Sequence, residues 1–402
     1  MTEPKERERK KVNKYERKAF DFIEKRKDYL FFIIVTIIGI AMRFGGKDAI
    51  SGDYVEYLSG WYDEIAQKGG LAALQYQIGN YGIPYQFLIA LMTYIPMDSL
   101  YMYKILSCIF DFGLAFICAR MVHSLKKGDS HFSFLMVYGI VLLFPTVVIN
   151  SSIWAQCDSI YVFFVVLSLY YLYNKKELLS FVFLGIALAF KLQTFFIFPF
   201  FVFYIIREKR CGCIFWGGIM CISFYVMQLP GLLMGRSFFE PLQIYFEQMG
   251  TYKSMYMNFP SFWAILGNDY TNLSLMAFLM AVGVLGFGLY YFMSHNTRIN
   301  TSKVFFELAA WIVWTCILFL PCMHDRYGYL LEVLLIICFF IDKKNIRYVV
   351  PVLLFAMDRY SEFIWRNGFG IKEVSVLYTL LYMAYSYKFF TSTIKEKEAM
   401  EQ

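Results

Sequence analysis

The sequence predicts an all-α protein that crosses a membrane many times. Among its 402 residues, 59% are hydrophobic, 20% are aromatic and only 17% are charged, so the chain has more apolar surface than one soluble core can bury. Apolar runs such as 29–42 and 273–293 recur along the chain, and the alternation typical of β-strands is missing from them. Because helices satisfy their own backbone polar groups inside lipid, we expect the runs to cross as helices.

Basic residues set the predicted orientation. They form short clusters between the apolar runs, and the positive-inside rule places such clusters in the cytoplasm. Two crossings then separate each pair of neighbouring clusters, which gives about 12 spans and leaves both termini in the cytoplasm. The net charge is +7, but the basic residues are scattered rather than gathered on one surface, so we expect no nucleic-acid partner.

The chain is predicted to hold one membrane domain and no separate soluble domain. We expect a charged cytoplasmic segment over 1–28, the membrane domain over 29–390 and a cytoplasmic tail over 391–402. The first segment is too charged for a signal peptide and lacks a small-residue cleavage site. Within the membrane domain, the long external loops are expected at about 46–83 and 235–260.

One apolar run does not fit this topology as a crossing. The run over 83–97 is bracketed by Pro84 and Pro96, and a crossing here would invert every later loop. We therefore expect a re-entrant or surface-lying helix at this position, in addition to the spans.

The first external loop begins with acidic and aromatic residues at helical spacing. Asp53, Glu56, Tyr57 and Trp61 fall on one face if the stretch 50–65 is helical. Such a face suits either of two roles. It would line a substrate site beside a carboxylate, or it would rest on the bilayer as an amphipathic helix.

Charged residues at the ends of apolar runs are candidate functional groups, because charge at membrane depth is costly. Lys191 interrupts the run 178–206, where it either faces an anion or snorkels to the interface, and we expect the run to break there into two short spans. Asp158 begins a run, where it serves either a substrate site or a helix cap. Other expected substrate contacts on the same outer side are Trp154, Gln156, Gln193, Lys253, His324, Arg326 and Tyr327.

Residues that bind metals are few on the predicted outer side. His324 is the one outward histidine of four, and the nine cysteines lie mostly in apolar runs, where they behave as small hydrophobes. We therefore expect no metal site and no cofactor. An outward cavity with carboxylates on one wall, and Lys191 and Arg326 on another, suits a reaction in which an acceptor loses a proton while an anionic group leaves.

Four parts of the chain, between about residues 29 and 341, resemble signatures of the GT-C glycosyltransferases that use polyprenyl-phosphate sugars. The stretch 52–65 is similar to the family's first external loop, and 80–88 is similar to N-Y-x-P-P-Y. The stretch 149–164 is close to W-G-Q-x-D, and its continuation 184–199 matches G-x-A-x-x-x-K-x-Q-x-x-x-x-x-P. The stretch 321–329 is similar to M-H-E-R-Y-x-Y. The pattern is closest to the mannosyltransferases and glucosyltransferases related to GPI-anchor and N-glycan assembly.

Three positions depart from these signatures. Ile83 replaces the first of the paired prolines, Ala155 replaces the glycine of W-G-Q-x-D, and Asp325 replaces the glutamate of M-H-E-R-Y. Val55 stands where a D-x-D metal motif would need its second acid, so the resemblance gives no reason to expect a metal.

The resemblance implies a function and assigns roles within it. Asp53 would be the general base of an inverting transfer of a mannose- or glucose-like hexose from a polyprenyl-phosphate donor. Lys191 and Arg326 would hold the lipid phosphate, while Asp158 and His324 would line the sugar site. The acceptor would be a glycan, lipid or protein of the cell envelope. We expect the enzyme to lie among the lipids of a bacterial plasma membrane, as part of polysaccharide biosynthesis, because the chain is compact and lacks eukaryotic retention signals. The predicted topology puts its active site on the extracytoplasmic side.

Two other functions remain open. A flippase or transporter for lipid-linked oligosaccharides also needs polar groups inside a bundle, although repeated halves with broken helices are not evident. A polysaccharide polymerase or a lipid-to-glycan ligase would be expected to carry large arginine-rich external loops. Arg236 is the one arginine in 235–257.

Overall fold

The computed structural model describes residues 3–126, 131–210 and 212–401, with side chains over 14–126, 131–210 and 212–393. Most of this part of the chain is helical, which confirms the predicted all-α class. The helices are α1 (Glu3–Gly45), α2 (Ser59–Gln67), α3 (Ile83–Met92), α4 (Ser99–Leu125), α5 (His131–Leu142), α6 (Pro145–Val148), α7 (Asp158–Tyr173), α8 (Glu177–Phe190), α9 (Phe198–Arg207), α10 (Cys213–Leu233), α11 (Glu240–Thr251), α12 (Trp263–Leu266), α13 (Tyr270–Ser294), α14 (Ser302–Phe319), α15 (Tyr329–Ile341), α16 (Ile346–Trp365) and α17 (Ile371–Glu401).

Shorter elements connect these helices. Two π-helical turns cover Tyr54–Leu58 and Ile149–Ile153. A pair of two-residue strands, β1 (Tyr256–Met257) and β2 (Met323–His324), runs parallel. The 3₁₀ turns are Gly70–Gln75, Leu192–Ile197, Asp325–Gly328 and Lys343–Asn345.

Five helices in the described residues are long and apolar enough to span a membrane. These are α1, from Lys14 onward, and α4, α10, α13 and α14. A sixth span results if α5 and the segment Pro145–Ile153, which are bent by 51° relative to each other, are taken as one crossing. The helices therefore have the length and composition expected of a membrane protein.

The predicted count of about 12 spans is not reached by these long helices and stays a prediction. Several runs that we expected to cross form shorter apolar helices, among them α7, α8 and the segment Leu192–Arg207. With 14 residues, α8 is about 21 Å long, whereas the hydrocarbon core of a bilayer is about 30 Å thick. The 10-residue α3 lies where a re-entrant or surface-lying helix is predicted.

The charged N-terminal segment and the first apolar run form one helix. α1 continues without a break through 28 and 29, where the sequence predicts the membrane domain to begin. Of the predicted terminal segments, residues 1, 2 and 402 lie outside the described residues, as do the side chains of 1–13 and 394–402.

α14 and α15 form the centre of the bundle. Of the most apolar 18-residue stretch in each helix, 89% is buried inside the protein in α14, whereas only 17% is buried in α10 and in α13. α10 and α13 therefore lie at the periphery of the bundle with most of their apolar surface uncovered by protein, as expected of helices that face lipid. α10 packs closely on α8, because Gly185 has no side chain and a Cβ there would lie 2.8 Å from Cβ of Ser223.

A buried ion pair fixes the end of α1 against its neighbours. Arg43 donates to Oδ2 of Asp111 on α4 through Nε, at 3.0 Å, and through Nη2, at 2.8 Å. Ser151 of the second π turn donates to the same oxygen at 2.5 Å. The pair thus ties together α1, α4 and the turn that precedes Trp154.

Candidate functional site

Asp53 lies at the centre of a set of polar side chains from distant parts of the chain. Its Oδ2 accepts hydrogen bonds from Nε1 of Trp154 at 2.9 Å, Nε2 of Gln156 at 2.5 Å and Nη1 of Arg326 at 3.1 Å. None of the hydrogen bonds among the described residues reaches its Oδ1. The Asp53 side chain is 16% exposed, so this carboxylate is oriented through one oxygen and can be reached from outside.

A π-helical turn follows Asp53 and changes the face on which the neighbouring acids lie. A π turn contains an additional residue, so the regular helical spacing assumed for the stripe is lost across Tyr54–Leu58. Glu56 is exposed and accepts from the Tyr57 hydroxyl at 2.7 Å, while Glu64 pairs with Lys68. The predicted shared face of acids is therefore wrong, and Asp53 alone among them joins the site.

Asp158 is a second carboxylate in the site, and it is fully buried. Its Oδ1 accepts from Nζ of Lys191 at 2.5 Å, and its Oδ2 accepts from Nδ2 of Asn150 at 2.9 Å. Nε of Arg326 lies 3.7 Å from the same Oδ2. We call Asp53, Trp154, Gln156, Asp158, Lys191 and Arg326 the polar cluster.

The cations of the polar cluster are paired with its carboxylates, and Arg326 lies between the two acids. We expected the acids on one wall of a cavity and Lys191 and Arg326 on another, and this expectation is wrong. Lys191 contacts Asp158, and Arg326 reaches both Asp53 and Asp158. The side chains of Asp158 and Lys191 are only 1% and 4% exposed, and buried charges are costly unless they are paired.

Two alternatives for these residues are settled by the same contacts. Lys191 does not snorkel to an interface, because its ammonium is buried against Asp158. Asp158 is the first residue of α7, but the hydrogen bonds of its carboxylate in the described structure come from side chains, not from the backbone amides that a cap would bind.

Lys191 reaches the site because the chain breaks where the sequence predicts it. α8 ends at Phe190, Lys191 is extended, and a 3₁₀ turn over Leu192–Ile197 follows. The break directs Lys191 inward between the two short helices. Gln193, in the 3₁₀ turn, lies beside Tyr327.

Trp154 and Gln156 are presented by the second π turn and the bend that follows it. Ala155 has φ of 62°, a left-handed conformation that favours glycine. The W-G-Q-x-D signature, which this stretch resembles, has glycine at this position. Trp154 is stacked on Phe363, with ring centroids 4.3 Å apart, and the guanidinium of Arg326 lies over its ring at 5.5 Å.

The segment His324–Tyr327 is held by the loop between α11 and α12. β2 pairs with β1 of that loop, and Asn258 donates to Oδ2 of Asp325 at 3.1 Å. Asp325 in turn accepts from the backbone N–H of Arg326 at 2.9 Å and lies 3.2 Å from Nδ1 of His324. Asp325 therefore orients its neighbours in the segment and is not itself part of the polar cluster.

Tyr81 belongs beside the polar cluster, although we did not select it from the sequence. Its hydroxyl donates to Oε1 of Gln156 at 3.2 Å, and Nζ of Lys191 lies 5.5 Å from its ring centroid. Its place in the stretch 80–88, which carries part of the resemblance, was the available signal. Burial raises the pKa of Tyr81 well above its ordinary value, and burial raises that of Tyr327 to about 12. With its proton retained, the Tyr81 hydroxyl serves as the hydrogen-bond donor to Gln156.

The remaining predicted residues lie outside the polar cluster. Trp61 contacts Tyr81, with ring centroids 5.4 Å apart, and His324 contacts Tyr327 at 5.8 Å. Tyr57 is bonded to Glu56, which raises the pKa of the Tyr57 hydroxyl to about 12. Lys253 is exposed, and no contact in the described structure brings it to the cluster.

The polar cluster contains the groups that proton transfer beside an anion requires. Asp53 offers an open carboxylate oxygen, and two cations lie within the same site. In the described residues, no group of three or more His, Cys, Asp or Glu side chains is arranged to hold a metal ion. Comparisons with models of protein families, with curated proteins and with solved structures found no match.

Proposed function

We propose that the protein is an integral membrane glycosyltransferase. It would move a mannose- or glucose-like hexose from a polyprenyl-phosphate sugar to a glycan, lipid or protein of the cell envelope, on the extracytoplasmic side of a bacterial plasma membrane. The observation that carries the proposal is the geometry of Asp53, which three donors hold through Oδ2 while Oδ1 is left open. A general base needs this combination of fixed orientation and access.

In the proposed reaction, Oδ1 of Asp53 accepts the proton of an acceptor hydroxyl. The acceptor oxygen attacks the anomeric carbon from the side opposite the lipid phosphate and forms the new C–O bond. The bond between that carbon and the phosphate oxygen breaks, and polyprenyl phosphate leaves with the electron pair. The configuration at the anomeric carbon is therefore inverted.

Arg326 and Lys191 supply positive charge near the leaving group in this scheme. Arg326 uses Nη1 for Asp53, and Lys191 uses one of its three N–H groups for Asp158, so both retain donors. Because both side chains are largely buried, their interaction with a developing phosphate charge is stronger than it would be in water.

The first test replaces the proposed base. We expect Asp53→Asn to lower turnover by about 10²- to 10⁴-fold, because the amide keeps the shape of the carboxylate but accepts no proton. The assay follows transfer from a radiolabelled polyprenyl-phosphate hexose to acceptor by the purified protein in detergent. Asp63→Asn, an exposed acid of α2, is the matched control and should keep full activity.

The same assay separates the proposal from its rivals. Covalent transfer of single sugars in detergent supports a glycosyltransferase, because transport has no meaning without a sealed membrane. Transfer of whole oligosaccharides would instead indicate a polymerase or ligase. Full activity of Asp53→Asn in single-sugar transfer would refute the assignment of Asp53.

A further inference from the structure

Lys104 is a buried lysine of α4 that the proposed reaction does not use directly. Its residue surface is 4% exposed, yet in the described structure no ion pair joins it to a carboxylate. Its ammonium donates instead to three backbone carbonyls, of Gly46 at 2.9 Å, Lys47 at 2.9 Å and Ala49 at 2.6 Å. An ammonium has three N–H donors, so all of them are occupied by this one turn and none is left for a substrate.

The turn over 46–49 connects α1 to the helical segment that carries Asp53. α1 ends at Gly45, and the next helical segment begins at Gly52. The carbonyl of Gly46 also accepts from the backbone N–H of Ala49 at 3.2 Å, and a cation just beyond a helix C-terminus interacts favourably with the helix dipole. Lys104 therefore fixes the turn that follows α1.

The opposite side of this turn packs on the segment that holds Trp154. A Cβ on Gly46 would lie 3.0 Å from Oγ of Ser152, so the backbone of the turn touches the second π turn. Ser51 donates to the carbonyl of Trp154 at 2.8 Å. The turn is thus held between α4 on one side and the residues that bond Asp53 on the other.

Helix α4 also holds the chain after Asp53. Oγ of Ser99 lies 2.7 Å from the hydroxyl of Tyr54, and the hydroxyl of Tyr103 donates to the carbonyl of Leu58 at 2.9 Å. Residues in the first turns of α4 therefore bond the chain both before and after Asp53. Among these α4 residues, Lys104 makes three hydrogen bonds to the turn over 46–49, which precedes Asp53.

We propose that Lys104 is a positioning residue for Asp53. By holding the turn over 46–49 against α4, it sets Asp53 so that Oδ2 meets Trp154, Gln156 and Arg326 while Oδ1 stays open. The structural part of this role stands on the contacts alone, and its consequence for catalysis rests on the proposed glycosyl transfer.

The test measures the position of the segment directly. A spin label is placed at Gly52→Cys, where a Cβ meets no atom within 4 Å, after Cys211, Cys213 and Cys221 are replaced by serine. Lys104→Met keeps the apolar stem and removes all three donors, so the label should become more mobile. Lys104→Arg, which retains cationic donors, should restore most of the order.

Lys47→Met is the matched control, because Lys47 lies in the same turn but its side chain is 37% exposed and pairs with Asp48. It should leave the label unchanged. In the transfer assay, Lys104→Met should lower kcat by up to about 100-fold with the donor KM unchanged, as expected when a catalytic group is displaced.

The outcomes separate the two proposals. If Lys104→Met leaves the mobility of the label as in the parent protein, the positioning role is wrong. If the parent protein transfers no sugar, the proposed function fails while the mobility comparison still decides the role of Lys104. Should Lys104→Met not yield a monodisperse protein, Lys104→Gln, whose shorter side chain cannot satisfy all three carbonyls, takes its place in the same comparison.

Discussion

Asp158 and Lys191 show how much a buried charge depends on its partner. Removal of Asp158 leaves Lys191 without its carboxylate partner, which typically costs about 3–5 kcal/mol, whereas removal of Lys191 leaves Asp158 with Arg326 at 3.7 Å and should cost less. We expect Asp158→Asn and Lys191→Met each to lower the thermal unfolding temperature in detergent. The double variant should lose less than the sum of the two, because it contains no unpaired charge from this pair.

The matched control for this cycle is the exposed pair of Lys68 and Glu64, with side chains 39% and 48% exposed. Its removal should have little effect, since surface ion pairs contribute about 0–1 kcal/mol. Simple additivity of the Asp158 and Lys191 substitutions would show that the two residues are not coupled, contrary to their contact in the structure.

Individual residues differ in how far their roles could be predicted. Lys191 and Asp158 could be selected from the sequence, because each places a charge at the edge of an apolar run. Their contact could not, because it joins residues 33 positions apart through the fold. Asp325 and Tyr81 could not be assigned correctly from the sequence. Asp325 sits in a recognisable motif, yet it orients the neighbouring residues of that motif and is not part of the polar cluster. Tyr81 lies beside the cluster but is uncharged, so it does not stand out in the sequence.

At the scale of elements, the two π turns determine which side chains enter the site. One follows Asp53 directly, and the other directly precedes Trp154. A π turn widens the helix and shifts the residues after it, and such turns are frequent at functional sites. A regular helical period over 50–65 puts Glu56 on the same face as Asp53, and the π turn interrupts that period. The break at Lys191 was predictable, since polar residues interrupt a long apolar run there.

We expect the left-handed backbone conformation at Ala155 to limit which side chains can replace the alanine without a loss of stability. A left-handed residue other than glycine costs roughly 1–2 kcal/mol, and a β-branched side chain is worse at such a position. We expect Ala155→Gly to remain within about 1 kcal/mol of the parent protein, because relief of strain offsets the greater flexibility of the unfolded chain. Ala155→Val should lose about 1–3 kcal/mol.

Thermal unfolding in detergent checks the order of the three proteins. Ala73 is a suitable control position, because it is also fully buried but is not among the residues with positive φ. Ala73→Gly should therefore be destabilising, in contrast to Ala155→Gly. Equal losses for the two glycine variants would contradict a strained backbone at Ala155.

At the scale of the whole molecule, the polar cluster lies near one end of the helix bundle. The turn after α1 meets the first turns of α4 through Lys104, and Arg236, just after α10, donates to Gln86 of α3. The end of α14 accepts from Trp263 through the carbonyl of Phe319. At the opposite end, Lys388 of the last helix pairs with Glu307 near the start of α14. The start of α1 and the last described part of α17 therefore lie away from the polar cluster.

This arrangement makes the predicted orientation testable with three labels. The positive-inside rule places the polar cluster outside and the basic residues after α13 inside. Gly52→Cys, next to Asp53, and Ser237→Cys, in the loop between α10 and α11, are both exposed and should react with a membrane-impermeant maleimide in intact cells. Ser294→Cys, at the far end of the 25-residue α13, should react only after the membrane is permeabilised. Since α13 is long enough to cross in one pass, labelling of Ser237→Cys and Ser294→Cys from the same side would remove α13 from the spans. Labelling of Gly52→Cys from the cytoplasm alone would place the polar cluster inside the cell and exclude transfer at the outer face.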